Sequence, residues 1–276
     1  MTTTFIGGGN MATALIGGML ARGASIADFR VVEPFAAART GLAARYVGIA
    51  LFAECTAEAV AGAALVVLAV KPQQMRAAAQ ALALRLGDWP GPVVLSIAAG
   101  IRLADLSRWL GGRPRLVRAM PNTPALVGKG ISGLFAAATV DAQGRALAAA
   151  VLEAVGEQLW VDDEAMLDAV TGVSGSGPAY VFYFLEALEK AAQELGFAPP
   201  DARRLAYATF AGSVALAQAS PADPAALRAQ VTSKGGTTER ALAMLEADAV
   251  KEKIVAAVRA AALRAGELGD AFGRDT

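Results

Sequence analysis

The sequence contains no histidine. Its absence removes Ser-His-Asp hydrolysis, Cys-His proteolysis, histidine-ligated zinc and the histidine acid-base step common among alcohol-forming dehydrogenases. Any chemistry must run without imidazole. Cysteine occurs once, as Cys55, so neither an internal disulfide nor a cysteine-cluster metal site can form, and the thiol reads as a small hydrophobe beside a strand end. Net charge is missing too, because 25 basic and 25 acidic side chains cancel. Without a basic footprint, nucleic-acid binding is disfavoured and small-molecule work favoured. The longest uncharged apolar run, Ala59 to Val70, falls well short of the ~20 residues that cross a bilayer. No basic segment or cleavage site opens the chain, so a cytoplasmic location is expected.

What is there is apolar and long. Of 276 residues, 55% are hydrophobic and only 18% charged, which hints at surface buried in an oligomer. The length exceeds a typical domain of about 100 to 150 residues, so two domains are expected. Strand patterns fall at Thr2 to Ile6, Phe29 to Glu33, Val47 to Phe52, Ala64 to Val70, Val93 to Ile97, Leu116 to Met120, Gly133 to Ala137 and Gln158 to Val161, with helical stretches between most of them. That alternation implies a mostly parallel sheet covered on both faces. From Asp163 onward only helical patterns remain, which sets the expected boundary at residues 161/162. Asp162, Asp163 and Glu164 suit the first turn of a helix better than a metal site. The helix after Pro178 carries an apolar band, Tyr180, Tyr183, Phe184, Ala187 and Leu188 among others, broader than one core face needs. It fits a helix shared between subunits.

The first strand runs into Gly7-Gly8-Gly9-Asn10-Met11-Ala12 and a helix with Met11, Leu15, Ile16 and Met19 on one face. Gly7, Gly9 and Ala12 fill a G-x-G-x-x-A pattern, in which the backbone can press against a pyrophosphate at a helix N-terminus. Small residues here would also serve close helix packing, but the strand, helix, strand context supports the dinucleotide reading. Glu33 ends the second strand, where a carboxylate would bond a ribose 2′-OH and repel a 2′-phosphate, a lean towards NADH. Arg30 and Arg39 lie close by and would serve NADPH instead.

Ala69-Val70-Lys71-Pro72 and Met120-Pro121-Asn122-Thr123-Pro124 close two further strands, at the edge where open α/β sheets bind ligands. Lys71 either faces the cofactor or is solvated. Ser174-Gly175-Ser176-Gly177-Pro178-Ala179-Tyr180 and Val231-Thr232-Ser233-Lys234-Gly235-Gly236-Thr237-Thr238 each precede a helix, as anion nests or as ordinary caps.

In order and spacing these five segments resemble pyrroline-5-carboxylate reductases, over the whole chain. The resemblance implies an N-terminal Rossmann-type α/β domain (1–161) and an all-α C-terminal domain (162–276) that binds substrate and intertwines in a homodimer, often within a ring of dimers. It implies NADPH, or less often NADH, as hydride donor, no metal, and a cyclic imino acid as substrate. Gly7, Gly8, Gly9, Asn10, Met11, Ala12, Ala69, Val70, Lys71, Pro72 and Asn122 would bind the cofactor with Glu33. Ser174, Gly175, Gly177, Ser233, Gly235, Gly236 and Thr237 would bind the substrate, with Thr238 and Ser176 catalytic. Lys234 departs from the family's usual proline. Two rivals stand beside this reading, a β-hydroxyacid dehydrogenase and a non-catalytic dinucleotide sensor. The first commonly needs a lysine in the helical domain, and Lys190 falls on a polar helix face.

Overall fold

The computed structural model describes residues 1–86, 91–113 and 115–274. Among them the chain forms eight strands: β1 Thr3–Ile6, β2 Phe29–Val32, β3 Ala50–Phe52, β4 Leu65–Leu68, β5 Val93–Ser96, β6 Leu116–Met120, β7 Gly130–Ala136 and β8 Gly156–Trp160. The helices are α1 Asn10–Ala21, α2 Ala36–Arg45, α3 Ala57–Val60, α4 Pro72–Ala83, α5 Leu103–Trp109, α6 Ala142–Glu153, α7 Met166–Val170, α8 Gly177–Glu194, α9 Pro199–Ala219, α10 Pro224–Gln230, α11 Thr237–Ala247 and α12 Val250–Arg274. All eight expected strands form, and none follows β8 among the described residues. The sheet order is β3-β2-β1-β4-β5-β6-β7-β8, parallel throughout except for the β6–β7 pair.

Two compact units divide the chain. Unit 1 comprises Met1–Ser176 with the residues from Ala260 on, and unit 2 is Gly177–Arg259. In unit 1 the strands alternate between two cores. Leu65 and Val67 of β4 join Phe5, Leu15, Ile16, Leu42, Val151 and Leu152 on the face covered by α1, α2 and α6. Val66 and Leu68 join Ile6, Met75, Leu82, Leu106 and Trp109 on the face covered by α4 and α5. A strand buried on both faces needs an unbroken apolar run, which is why β4 reads as one.

Unit 1 runs on past β8 as far as Ser176. A buried charge cluster holds this stretch to the sheet. Arg118 of β6, 2% exposed, donates from Nη1 to Glu164 Oε1 at 3.0 Å and from Nη2 to Asp168 Oδ1 at 3.3 Å. Glu164 Oε1 also accepts from Leu103 N at 2.8 Å, and Arg102 bridges Asp168 and Asp270. The start of α7 and the end of α12 are thereby fastened to the sheet. Glu164 is thus more than a helix-end charge, whereas Asp163 makes only a local turn bond, accepting from Ala165 N at 2.9 Å ahead of α7.

Unit 2 is helical. α8 buries no residue in the single chain, with Phe182 58% and Tyr183 72% exposed. Tyr183, Phe184, Leu188, Phe210, Leu242 and Ile254 line an apolar groove of about 800 Å³. An apolar face this open calls for a partner. Among the described residues no helix is long and apolar enough to cross a membrane.

Arg118→Met keeps roughly the side-chain volume but leaves Glu164 without its cation and Asp168 with Arg102 alone. Removing one partner of a buried pair costs about 3–5 kcal/mol, so urea unfolding of unit 1 should show a loss of that order; a loss under about 1 kcal/mol would mean the carboxylates rehydrate freely.

Candidate active site

Parallel strands place their carboxyl ends on one edge, and the crevice opens where the strand order reverses, here between β1 and β4. A cleft of about 770 Å³ lies there, lined by Gly7, Gly9, Glu33, Pro34, Phe35, Cys55, Ala69, Val70 and Lys71 among others. Gly7 turns with φ +102°, and an added Cβ would come within 2.8 Å of Ala69 O, so only glycine fits. Gly9 differs. An added Cβ there would meet nothing within 4 Å, so nothing within the chain needs the missing atom, while a pyrophosphate on the backbone would. Gly9 caps α1 without a side-chain bond, and the first helical N–H groups have no intrahelical acceptors. This cradle fits a dinucleotide. Lys71 caps α4 with Pro72 in its first turn, and its exposed side chain stands on the cleft wall.

Glu33 is 7% exposed and both its oxygens have partners. Gly8 N donates to Oε2 and Phe35 N to Oε1, each at 2.9 Å. The carboxylate therefore fixes the glycine turn to the end of β2 while keeping lone pairs for a ligand. The two nearby arginines each turn one nitrogen to backbone carbonyls. Arg39 Nη1 donates to the carbonyls of Glu33 and Pro34, and Arg30 Nη1 to those of Glu58 and Ala61.

Ser174 and Gly175 do not form the expected turn ahead of a helix. Thr171–Gly175 winds as a π-helix between α7 and α8, with Ser176 N donating to Thr171 O at 2.8 Å. Such turns concentrate at functional sites. Asn122, at the end of β6, lies against this turn, its Nδ2 donating to Ser174 O at 3.2 Å. Sequence reasoning missed that link; its one signal was a proline four residues after Ser174.

In unit 2, Ser233, Lys234, Gly235 and Gly236 lead into α11, with Gly236 as its cap and Thr237 and Thr238 in the first turn. Part of the expected anion nest is engaged within the chain. Gly235 N donates to Glu239 Oε2 at 2.6 Å and Gly236 N to Ser233 O at 3.0 Å. The donors left for a carboxylate are the first N–H groups and threonine hydroxyls of α11. Lys190, 79% exposed, pairs only loosely with Glu194 at 3.9 Å. Among the described residues no group of three or more His, Cys, Asp or Glu could hold a metal.

Residues 164–268 match the family model for pyrroline-5-carboxylate reductase dimerisation, and residues 2–100 match that for NADP oxidoreductase, coenzyme F420-dependent. The chain is 46% identical to a pyrroline-5-carboxylate reductase of Pseudomonas aeruginosa, over 98% of this chain and 97% of that one. The chain belongs to the pyrroline-5-carboxylate reductase family. A solved family structure from Coxiella burnetii superposes with a TM-score of 0.89 at 37% identity, over 97% of this chain and 98% of that one. The Plasmodium falciparum pyrroline carboxylate reductase, solved with NADP bound, superposes with a TM-score of 0.85 at 25% identity, over 98% of each chain. The open face of α8 falls inside the family's dimerisation segment.

Cys55, the single thiol, stands on the cleft at the β1/β4 crevice, and burial pushes its pKa above the ordinary thiol value against a smaller opposing pull from Arg85. Thiolate is the reactive form. Alkylation by iodoacetamide should therefore be slow at neutral pH, rise only in strongly alkaline buffer, and slow again when NADPH fills the cleft. Equal rates with and without nucleotide would place the cofactor elsewhere.

Proposed function

We infer that this protein reduces 1-pyrroline-5-carboxylate to L-proline, the last step of proline biosynthesis, with NADPH as donor and NADH as the alternative. The observation that carries the reading is the glycine cradle at the β1/β4 crevice, joined in one chain to the family's helical segment. The reduced nicotinamide supplies a hydride for the imine carbon. Gly7 to Ala12 hold the pyrophosphate through backbone N–H groups, and Ala69 to Pro72 form the opposite wall. Glu33 faces the adenosine ribose, and Phe35, 65% exposed on the rim, offers an apolar plate beside it.

The substrate asks little acid-base work of the protein, which suits a chain with no histidine. A cyclic imine protonates in solution and is then strongly electrophilic, so positioning and exclusion of water supply most of the acceleration. The N–H groups at the start of α11 take the substrate carboxylate, and the Thr238 hydroxyl bonds the developing ring amine. Ser174 to Gly177 shape the pocket, with the Ser176 hydroxyl on the substrate side. The protein works in the cytoplasm as a homodimer built on the open face of α8, and such dimers assemble into a ring.

The deciding experiment follows loss of reduced-nicotinamide absorbance with pyrroline-5-carboxylate, using NADPH and NADH in parallel and a β-hydroxyacid with the oxidised cofactors as control. Turnover of the imine is expected; oxidation of the hydroxyacid alone would favour the dehydrogenase rival, and nucleotide binding without either reaction the sensor. Thr238→Ala should lower kcat/KM for the imine about tenfold, the worth of one hydrogen bond of ~1.4 kcal/mol, with nucleotide affinity unchanged. Glu33→Gln removes a charge beside the 2′ position and keeps an acceptor for one of Gly8 N and Phe35 N, giving up the bond to the other. The ratio of kcat/KM with NADPH to that with NADH should rise about tenfold, and a constant ratio would remove Glu33 from cofactor selection.

A further inference from the structure

Pro178 leaves a gap in the hydrogen-bond ladder of the segment that joins α7 to α8. In a regular helix the carbonyl of Ser174 would accept from the N–H four residues on, and Pro178 has none. Neighbouring hydroxyls turn back on the preceding turn, Thr171 Oγ1 donating to Leu167 O at 2.7 Å and Ser174 Oγ to Val170 O at 3.1 Å. The Ser174 carbonyl takes its donor from outside the helix, from Asn122 Nδ2 at 3.2 Å. The other end of the same amide is fixed, because Ile131 N donates to Asn122 Oδ1 at 3.0 Å. Backbone N–H only donates and C=O only accepts, so these two partners set the amide's orientation. The contact is close on all sides. Asn122 is 9% exposed, and a Cβ on Gly175 would come within 2.7 Å of Met120 Cε.

We propose that Asn122 is a positioning residue for the substrate, not a cofactor ligand: it supplies the donor that Pro178 withholds and so fixes the pitch of the π turn that holds Ser174 and leads into Ser176 and Gly177. The proposal rests on the reading that this segment shapes the pocket for the imino acid. Asn122 itself touches neither reacting atom. Its amide acts through backbone, and the expected signature is a change in substrate KM with nucleotide affinity intact.

Asn122→Asp tests it. The carboxylate still accepts from Ile131 N but cannot donate to Ser174 O. With the full-length enzyme, the KM for pyrroline-5-carboxylate should rise about tenfold, the NADPH Kd from nicotinamide fluorescence should stay within about twofold, and hydrogen exchange across 171–177 should quicken. Pro178→Ala is the second variant. It restores an N–H four residues after Ser174, so in that background Asn122→Asp should cost KM little. A rise in NADPH Kd equal to that in KM would return Asn122 to the cofactor site, and an equal KM penalty in both backgrounds would show that the Ser174 carbonyl is not the link. Failure of the unsubstituted protein to turn over the imine would sink the substrate reading; turnover with an unchanged KM in Asn122→Asp would sink this proposal alone. If Asn122→Asp fails to fold, the same substitution in the Pro178→Ala background decides: recovery of a folded enzyme with near-normal KM supports the proposal, and continued failure to fold overturns it.

Discussion

A guanidinium buried under a parallel sheet must find its counter-charges inside the fold, and Arg118 finds them on α7. A lone buried cation is too costly to persist, so the arrangement of unit 1 beyond β8 is dictated by where Glu164 and Asp168 can sit. They bring α7 against β6 and β7, and through Arg102 they bring the last turns of α12 to the start of α5. The segment after α7 starts from a fixed point. From there the π turn, the Ser174 carbonyl and the Asn122 brace follow, all within a few residues of the same strand.

The candidate site is thus built from two kinds of rigidity. On the nucleotide side, rigidity comes from the sheet: Gly7 turns tightly against Ala69, and Glu33 ties Gly8 to the end of β2. A loop held this way presents its N–H groups without further ordering, which lowers the entropic cost of binding a flexible dinucleotide. In the segment proposed to shape the substrate pocket, rigidity comes from the Asn122 amide on the Ser174 carbonyl, which Pro178 cannot serve. Hydride transfer to an activated imine tolerates the absence of acid-base side chains but not of alignment.

Much of this was legible in the residues. β4, Leu65 to Leu68, is an apolar run buried on both faces and could be read directly, and Gly7 announced its tight turn because a Cβ there would meet Ala69 O. The breadth of the apolar band after Pro178 already exceeded what one chain could cover, and α8 indeed buries nothing in the single chain. Less legible were the polar partners. Glu164 looked like a helix-end charge because its cation lies 46 positions earlier in the chain, and the bond from Asn122 to the Ser174 carbonyl was hidden because the two lie 52 positions apart.

The sequence by itself determined the alternating α/β plan, the all-helical tail, the glycine cradle and the chemistry that a chain without histidine can perform. Those are consequences of side-chain period, backbone freedom and functional-group inventory, each local to a few residues. The tertiary structure alone decided where compactness ends one unit, which oxygens Glu33 offers, which N–H groups before α11 are already engaged, and that the serine segment is a braced π turn. These depend on hydrogen bonds and ion pairs between distant positions, whose geometry no local pattern encodes.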